Sequence, residues 1–374
     1  MKAYVIYDTT EHDLNLRYWG NFSAPDAFLA LKLEDGRTLA LVSELEYGRC
    51  KLVGTFDSVI ALPELRKRLE TEIKNQGYWS ALFDYLHSEY KVAAFVLPYN
   101  FPAGIYEHIR FSNKFSVGFD DDFFKTQRAI KRSDEIVEIR KACNITVQTL
   151  TYVKRILSEC EQQNGWLYYD GDVLTSERLR FLMEQYCLQC GGRGQDSIVA
   201  CGQEAANPHS LGTGPLMAQQ LIVVDFFPYL QSSHYYGDMT RTFFVGQPSV
   251  EEENLYNCVL ECQRQVIARV RPGVSTRELM TFAVDFFDKH GYGIKKNADG
   301  YEGFIHSLGH GIGLDLHEFP SVGNCDITLQ PGMVVTIEPG LYFRDIGGVR
   351  IEDDILITES GCEILTPCDY DWII

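Results

Sequence analysis

No stretch of this 374-residue chain stays apolar for the roughly eighteen residues that a membrane span requires, so no membrane partner is expected. Basic residues are also in short supply: 34 Lys and Arg stand against 52 Asp and Glu, a formal net charge of −18. Affinity for a phosphate backbone is dominated by Lys/Arg contacts, and nucleic acid is set aside as a partner. The N-terminal MKAYVIYDTTEHDLN turns polar too soon for a secretion signal, which gives a cytoplasmic location as the expectation. The eleven cysteines are odd in number and scattered, and read as reduced thiols rather than a disulfide framework. Cys187-Leu-Gln-Cys190 follows a helical stretch rather than a strand and is taken as structural. Histidine is scarce, with nine in the chain.

Three of those nine fall within His306-Ser-Leu-Gly-His-Gly-Ile-Gly-Leu-Asp-Leu-His-Glu318. His306 and His310 have the i,i+4 spacing of a helical metal pair, but Gly309, Gly311 and Gly313 each cost about 1 kcal/mol relative to Ala in a helix. Extended or turning backbone that something approaches closely fits better. The plainer reading is a glycine-rich surface loop with incidental histidines.

Residues 1–125 alternate strand-like and helix-like segments. Phe28–Ser43 forms two alternating runs about Asp35-Gly36, a hairpin signal; Leu62–Tyr90 has apolar residues near helical spacing, interrupted at Gly77; Lys91–Leu97 reads as a buried strand stopped by Pro98. Asp120-Asp121-Asp122 reads as a solvated turn. After a boundary near Thr126–Arg132, Ser133 is the expected N-cap of a long helix, with Asp134 and Glu135 in its first turn. A second helix follows Thr175 and ends at Gly191-Gly192, and strands are expected at Ser197–Ala200, Leu221–Val224 and Thr242–Val245. The order then repeats. Ser249-Val-Glu-Glu252 and Ser275-Thr-Arg-Glu278 are capping boxes opening two helices, and strands are expected at Met333–Ile337 and Asp354–Thr358.

Four carboxylates keep register with this repeat. Asp225 and Asp238 lie 91 and 104 residues after Asp134, and Glu338 and Glu352 lie 88 and 102 after Val250. Element order thus suggests an internal duplication in which each half supplies one carboxylate pair. Asp225 ends Leu-Ile-Val-Val, Glu338 ends Met-Val-Val-Thr-Ile and Glu352 follows Val-Arg-Ile. An acidic residue at the end of a buried strand must be paired, protonated or bound to a cation. Arg241 or Arg350 could supply a salt bridge, yet four such residues with a histidine favour a metal site. Oxygen-rich ligation with one imidazole suits hard or borderline divalent ions, and two ions could share bridging carboxylates.

The chain resembles the pita-bread metallopeptidases, in the branch of Xaa-Pro aminopeptidases and Xaa-Pro dipeptidases. The resemblance rests on Ser197-Ile-Val-Ala200, Asn207-Pro-His209, Val224-Asp225, Gly237-Asp-Met-Thr-Arg-Thr-Phe243, the His306–Glu318 stretch, Thr336-Ile-Glu-Pro-Gly-Leu-Tyr342 and Gly348-Val-Arg-Ile-Glu-Asp-Asp354. It implies an α+β fold: residues 128–374 as a pita-bread catalytic domain, with pseudo-twofold halves and a curved antiparallel sheet covered by helices. Residues 1–127 would be a creatinase-like, non-catalytic α/β domain, matched through Ala24-Pro-Asp26 and Leu45-Glu-Tyr47. The resemblance further implies that Asp225, Asp238, His310, Glu338 and Glu352 hold two divalent metals, manganese ahead of cobalt, zinc or iron. Asp238 and Glu352 would bridge them. Glu338 would shuttle the proton, His209 and His317 would bind and polarise the scissile amide, and His306 would line the substrate pocket. Thr240 and Arg350 would support Asp238 and Glu352. The substrate would be a peptide or dipeptide with proline second, and the assembly a homodimer.

The Asp225–Asp238 interval is about two residues longer than the family pattern, and an even insertion preserves the side-chain face. Both ligands are therefore expected to survive, the loop tip to protrude, and His234 to be a surface or rim histidine rather than a sixth ligand. Methionine aminopeptidase is disfavoured by Arg350-Ile-Glu-Asp-Asp354, by His306 and by the extra leading domain. A metal-free creatinase-like amidinohydrolase and a binding module without catalysis both expect ligands to be replaced, whereas all five are in place.

Overall fold

The computed structural model describes residues 1–298 and 300–374. The chain divides into two compact units, Met1–Gln127 and Arg128–Ile374.

In the first unit six strands form one mixed sheet, in the order Ser58–Ala61, Thr38–Val42, Phe28–Leu33, Lys2–Asp8, Ala94–Leu97, Ser116–Phe119. The hairpin falls where expected: Leu29 pairs with Leu41 and Leu31 with Leu39, and Gly36 takes φ +94° in the turn. Alternation divides the strands between two cores. Leu29, Leu31, Leu39 and Leu41 pack with Phe83 and Phe95, while Phe28, Ala30 and Ala40 pack with Ile6 and Trp19. The Leu62–Tyr90 stretch is three helices, Leu62–Arg68, Glu70–Gln76 and Tyr78–Tyr90, the last break lying at Gly77 with φ +86°. The Asp120–Asp122 run opens a short helix instead of a turn, because the Asp120 carboxylate accepts the Phe123 amide.

The second unit repeats itself. Helices Ser133–Ser158 and Ser176–Gln189 precede an antiparallel sheet ordered Ile198–Cys201, Leu221–Phe226, Met239–Phe244. Helices Val250–Ile267 and Thr276–Lys289 precede a second antiparallel sheet, ordered Glu318–Val322, Gly309–Gly311, Val334–Ile337, Asp353–Ile357, Cys362–Ile364. Each half has its own core. Leu150, Val153 and Leu157 meet Leu179, Ile222 and Val224 in the first; Leu255, Val259 and Phe287 meet Val335, Ile337 and Ile355 in the second. Each fully buried aliphatic side chain there contributes about 1.5–3 kcal/mol over exposure.

The halves join through the strands that carry the carboxylates. The Glu352 amide donates to the Thr240 carbonyl at 3.1 Å, and Thr242 Oγ1 donates to the Arg350 carbonyl at 3.0 Å. Beside this seam Arg241 donates to the Glu352 carbonyl at 2.6 Å and to Asp353 at 2.7 Å. Asp353, with no exposure, also accepts from Gln263, Thr366 and Tyr370. A buried pair is tolerable when its remaining lone pairs are satisfied in this way.

Several local readings shift. Ser133 lies inside the long helix, whose cap is Arg132, because the Glu135 carboxylate takes the Arg132 amide at 2.9 Å. Ser249 and Glu252 form the expected capping box. Ser275 caps its helix without one, since its hydroxyl donates to Asp326. The strand expected at Thr242–Val245 starts earlier, at Met239.

Candidate metal centre

A cavity of about 550 Å³ in the second unit is lined by Asp225, Asp238, His310, Glu338 and Glu352, together with His209, His306, His317 and Arg350. Strand ends deliver the carboxylates. Asp225 lies near the end of Leu221–Phe226, Asp238 just precedes Met239–Phe244, Glu338 just follows Val334–Ile337, and Glu352 just precedes Asp353–Ile357. Asp238, His310 and Glu352 offer ligand atoms within 4.8 Å of one another. His310 Nε2 stands 3.6 Å from Asp238 Oδ2 and 3.4 Å from Glu338 Oε1.

The glycines make room for the histidine strand. A Cβ on Gly309 would sit 2.0 Å from the Thr336 carbonyl oxygen, and one on Gly311 2.5 Å from that of Phe319. His310 is thus held on extended backbone between two strands, and its amide donates to Thr336 Oγ1 at 3.1 Å. The helical His306–His310 pair is excluded.

The donor set fits divalent cations. Four carboxylates face one guanidinium, and Oδ1 of both Asp225 and Asp238 is buried without a hydrogen-bond partner among the described residues. Burial, then the neighbouring Glu352 and Asp225 charges, push the Asp238 carboxyl well above its ordinary range; burial and Glu338 do the same to Glu352. Burial raises Glu338 to about 8. Desolvation lowers His306 and His310 to about 3, with Arg350 adding to the first and His317 to the second. Carboxyls kept from ionising by burial and by one another's charge describe a site short of positive charge, while the imidazole shifts report its desolvation.

The partners of Thr240 and Arg350 differ in part from expectation. Thr240 Oγ1 donates to Glu352 Oε2 at 2.6 Å and accepts from Arg350 Nε at 3.1 Å. Arg350 Nη2, however, pairs with Asp225 Oδ2 at 2.7 Å and reaches Glu352 only through Thr240. Asp238 is supported instead through its amide, which donates to the buried Asp354 carboxylate at 2.8 Å, and Asp354 also accepts the Cys143 thiol. Arg241 serves Asp353 and touches none of the four carboxylates.

His209 and His317 are exposed at the cavity lining, and the His317 ring stands edge-on to His310 at 4.3 Å. The loop bearing His317 is held by ion pairs: the buried Lys131 and Arg128 pair with the buried Glu318 carboxylate, and Arg128 also pairs with the partly exposed Asp315. The Asp225–Asp238 loop is a hairpin with Tyr229 bridged to Tyr236. His234, at φ +65°, stacks on Tyr229 at 5.0 Å and is not among the cavity-lining residues. Sequence reading named no role for Tyr342, whose hydroxyl joins Arg350 to His306, or for Thr336, Asp354, Lys131 and Glu318. All but Lys131 lie within the segments that carry the family resemblance, but nothing local says what each of them touches.

Comparison with known proteins gives a consistent set. A model of metallopeptidase family M24 matches residues 137–359. The Xaa-Pro dipeptidase of Pyrococcus furiosus is 36% identical over 253 residues, 67% of each chain. Among solved structures, the prolidase from Pyrococcus horikoshii OT3 aligns over 100% of this chain and 96% of its own, at TM-score 0.80 and 28% identity. The X-Pro aminopeptidase from Thermotoga maritima MSB8 aligns over 100% and 98% at TM-score 0.80, but at 24% identity it speaks to the fold alone.

Proposed function

Because the chain belongs to metallopeptidase family M24, and is therefore a hydrolase of the pita-bread fold, we propose that it cleaves the bond between an N-terminal residue and a following proline. The observation that carries this reading is the convergence of Asp225, Asp238, His310, Glu338 and Glu352 on one cavity short of positive charge. Family membership implies divalent metal ions. We propose two, held by those five residues and shared through Asp238 and Glu352, with manganese ahead of cobalt, zinc or iron. When bound, such ions acidify a water and act as Lewis acids on the amide carbonyl.

The chain's own groups would do the rest. Glu338 projects into the cavity from a buried strand end, beside the other proposed ligands. It is suited to accept a proton from the attacking water and return one to the leaving nitrogen. Thr336 Oγ1, 3.3 Å from Glu338 Oε1, steadies that carboxylate. His209 and His317 would hydrogen-bond the substrate amide and the developing oxyanion, a role in which prepositioned donors are worth most. His306 would line the pocket that takes the proline side. Thr240 and Arg350 would fix the orientation of Glu352 and Asp225, as partners behind ligands do. Residues 1–127 would form a creatinase-like domain outside the chemistry, and the enzyme would work as a cytoplasmic homodimer.

The test compares Xaa-Pro, Xaa-Pro-Yaa and Xaa-Ala peptides on the manganese-loaded protein. Hydrolysis of either proline substrate with little turnover of Xaa-Ala supports the proposal, and the ratio of the first two decides dipeptidase or aminopeptidase. Equal turnover of Xaa-Ala, or hydrolysis of a guanidino substrate in place of all three, would defeat it.

A further inference from the structure

We propose that His306 is held as a neutral imidazole protonated at Nδ1, its tautomer dictated by Arg350 through Tyr342. On this assignment it meets a substrate as an uncharged ring wall and not as an N–H donor or an acid.

The hydrogen-bond donors around the ring fix where its proton sits. The Tyr342 hydroxyl lies 2.9 Å from Arg350 Nη1 and 2.9 Å from His306 Nε2. Tyr342 is 1% exposed, and a Cβ at Gly340 would stand 2.4 Å from its hydroxyl, so glycine there leaves room for it. A guanidinium can only donate. Tyr342 therefore accepts from Arg350 and has one proton left, which goes to His306 Nε2. That nitrogen is then an acceptor, and the ring proton belongs on Nδ1, 2.7 Å from the Ser307 carbonyl oxygen, which can only accept.

The other protonation states fail the count. A proton on Nε2 would make Tyr342 accept twice and strand its own hydroxyl proton without an acceptor among the described residues, a costly state for a buried group. The Nε2–H tautomer would also set the Nδ1 lone pair against the Ser307 carbonyl. Arg350 cannot swing away to relieve this, because Nη2 is held by Asp225 and Nε by Thr240. Both ring nitrogens of His306 are thus engaged by the protein. What remains for a ligand in the cavity is the face and C–H edge of the ring.

The pocket role of His306 rests on the proposed function, whereas the tautomer does not. It is read by long-range ¹H–¹⁵N NMR on the substrate-free, full-length protein, labelled with ¹⁵N-histidine and loaded with diamagnetic zinc. The His306 signals are assigned by their loss in His306→Gln, or from a neutron map of the wild type if that variant fails to fold. The expected pattern is a protonated Nδ1 and an unprotonated, hydrogen-bonded Nε2. In Tyr342→Phe, Nε2 should move downfield while Nδ1 keeps its proton. A proton on Nε2, or an Nε2 signal unmoved in Tyr342→Phe, overturns the assignment. In kinetics Tyr342→Phe should raise KM about fivefold, the worth of one hydrogen bond, with kcat falling by less. A loss confined to kcat would mean that Tyr342 acts on the reacting atoms, and would overturn the wall role. Absence of any Xaa-Pro hydrolysis would defeat the proposed function and the wall role together, and would leave the tautomer standing on the spectrum alone.

Discussion

Thr240→Val removes one hydroxyl from a residue with no exposure and leaves the shape of the side chain nearly unchanged. The lost oxygen donates to Glu352 Oε2 at 2.6 Å and accepts from Arg350 Nε at 3.1 Å. The bond to the charged Arg350 is worth about 1.5–3 kcal/mol, and the one to the Glu352 carboxyl, which burial keeps from ionising in the metal-free protein, about 1 kcal/mol, a loss of about 3 kcal/mol. At roughly 2 °C per kcal/mol for a chain of this size, that is a fall of about 6 °C in Tm. The larger consequence concerns Glu352, whose carboxylate would be free to turn. Loss of a partner that orients a ligand typically lowers metal affinity 10–100-fold. Affinity is measured by competition with a chromophoric chelator, Tm by scanning calorimetry on the chelated protein, and Thr240→Ser serves as the control that keeps the hydroxyl. A folded Thr240→Val protein that binds manganese within twofold of wild type would refute the reasoning, because Glu352 would then need no orienting partner or would not be a ligand.

Glu338→Gln should lower kcat at least about 100-fold, as removal of a proton-transfer group does, with Tm within a few degrees of wild type; near-full activity excludes the shuttle role. Arg241→Met leaves the Asp353 carboxylate buried without its cation and should cost about 3–5 kcal/mol in urea unfolding; a loss below 1 kcal/mol would show that Gln263, Thr366 and Tyr370 suffice. Burial pushes the thiols of Cys50 and Cys160 up to about 11 and that of Cys187 to about 12, whereas Cys325 is exposed. A thiol reacts as its thiolate, so a raised value delays reaction until higher pH. Cys325 should therefore be alkylated first at pH 8, with the three raised thiols reacting only as the pH climbs or the fold opens; mass spectrometry of the modified peptides checks the order.

Asp225, Glu338 and Glu352 were legible because each interrupts an apolar run, and Asp238 because its spacing from Asp225 nearly matches that of Glu352 from Glu338; all four lie at strand ends, where this fold opens its cavity. His310 was legible for a related reason: its glycines exclude a helix, and close approach of Thr336 and Phe319 is what those glycines permit. Helix and strand order also came through, since periodicity and capping residues are local. The partners of those ligands were harder to see. Arg350 pairs with Asp225 from 125 residues away, and no spacing rule predicts which of several carboxylates an arginine will reach. Asp353 and Asp354 follow Glu352 directly, yet one serves Arg241 and the other the Asp238 amide. Strand alternation separates their faces, but only the packed seam between the halves says what each face meets. The cap at Arg132 was missed because Glu135, three residues on, reached back to the backbone there and outweighed the local preference of Ser133.

The central claim is that this cavity holds the metals that make the chain an Xaa-Pro peptidase. It is tested most directly by stripping the protein with chelator, returning manganese in measured steps, and recording bound metal and Xaa-Pro hydrolysis in the same sample. The stripped protein should show no turnover, and recovery should be complete when two ions per chain are bound. Full turnover with less than about a tenth of an ion per chain, a level at which too few sites are filled for mass action to sustain it, would contradict it.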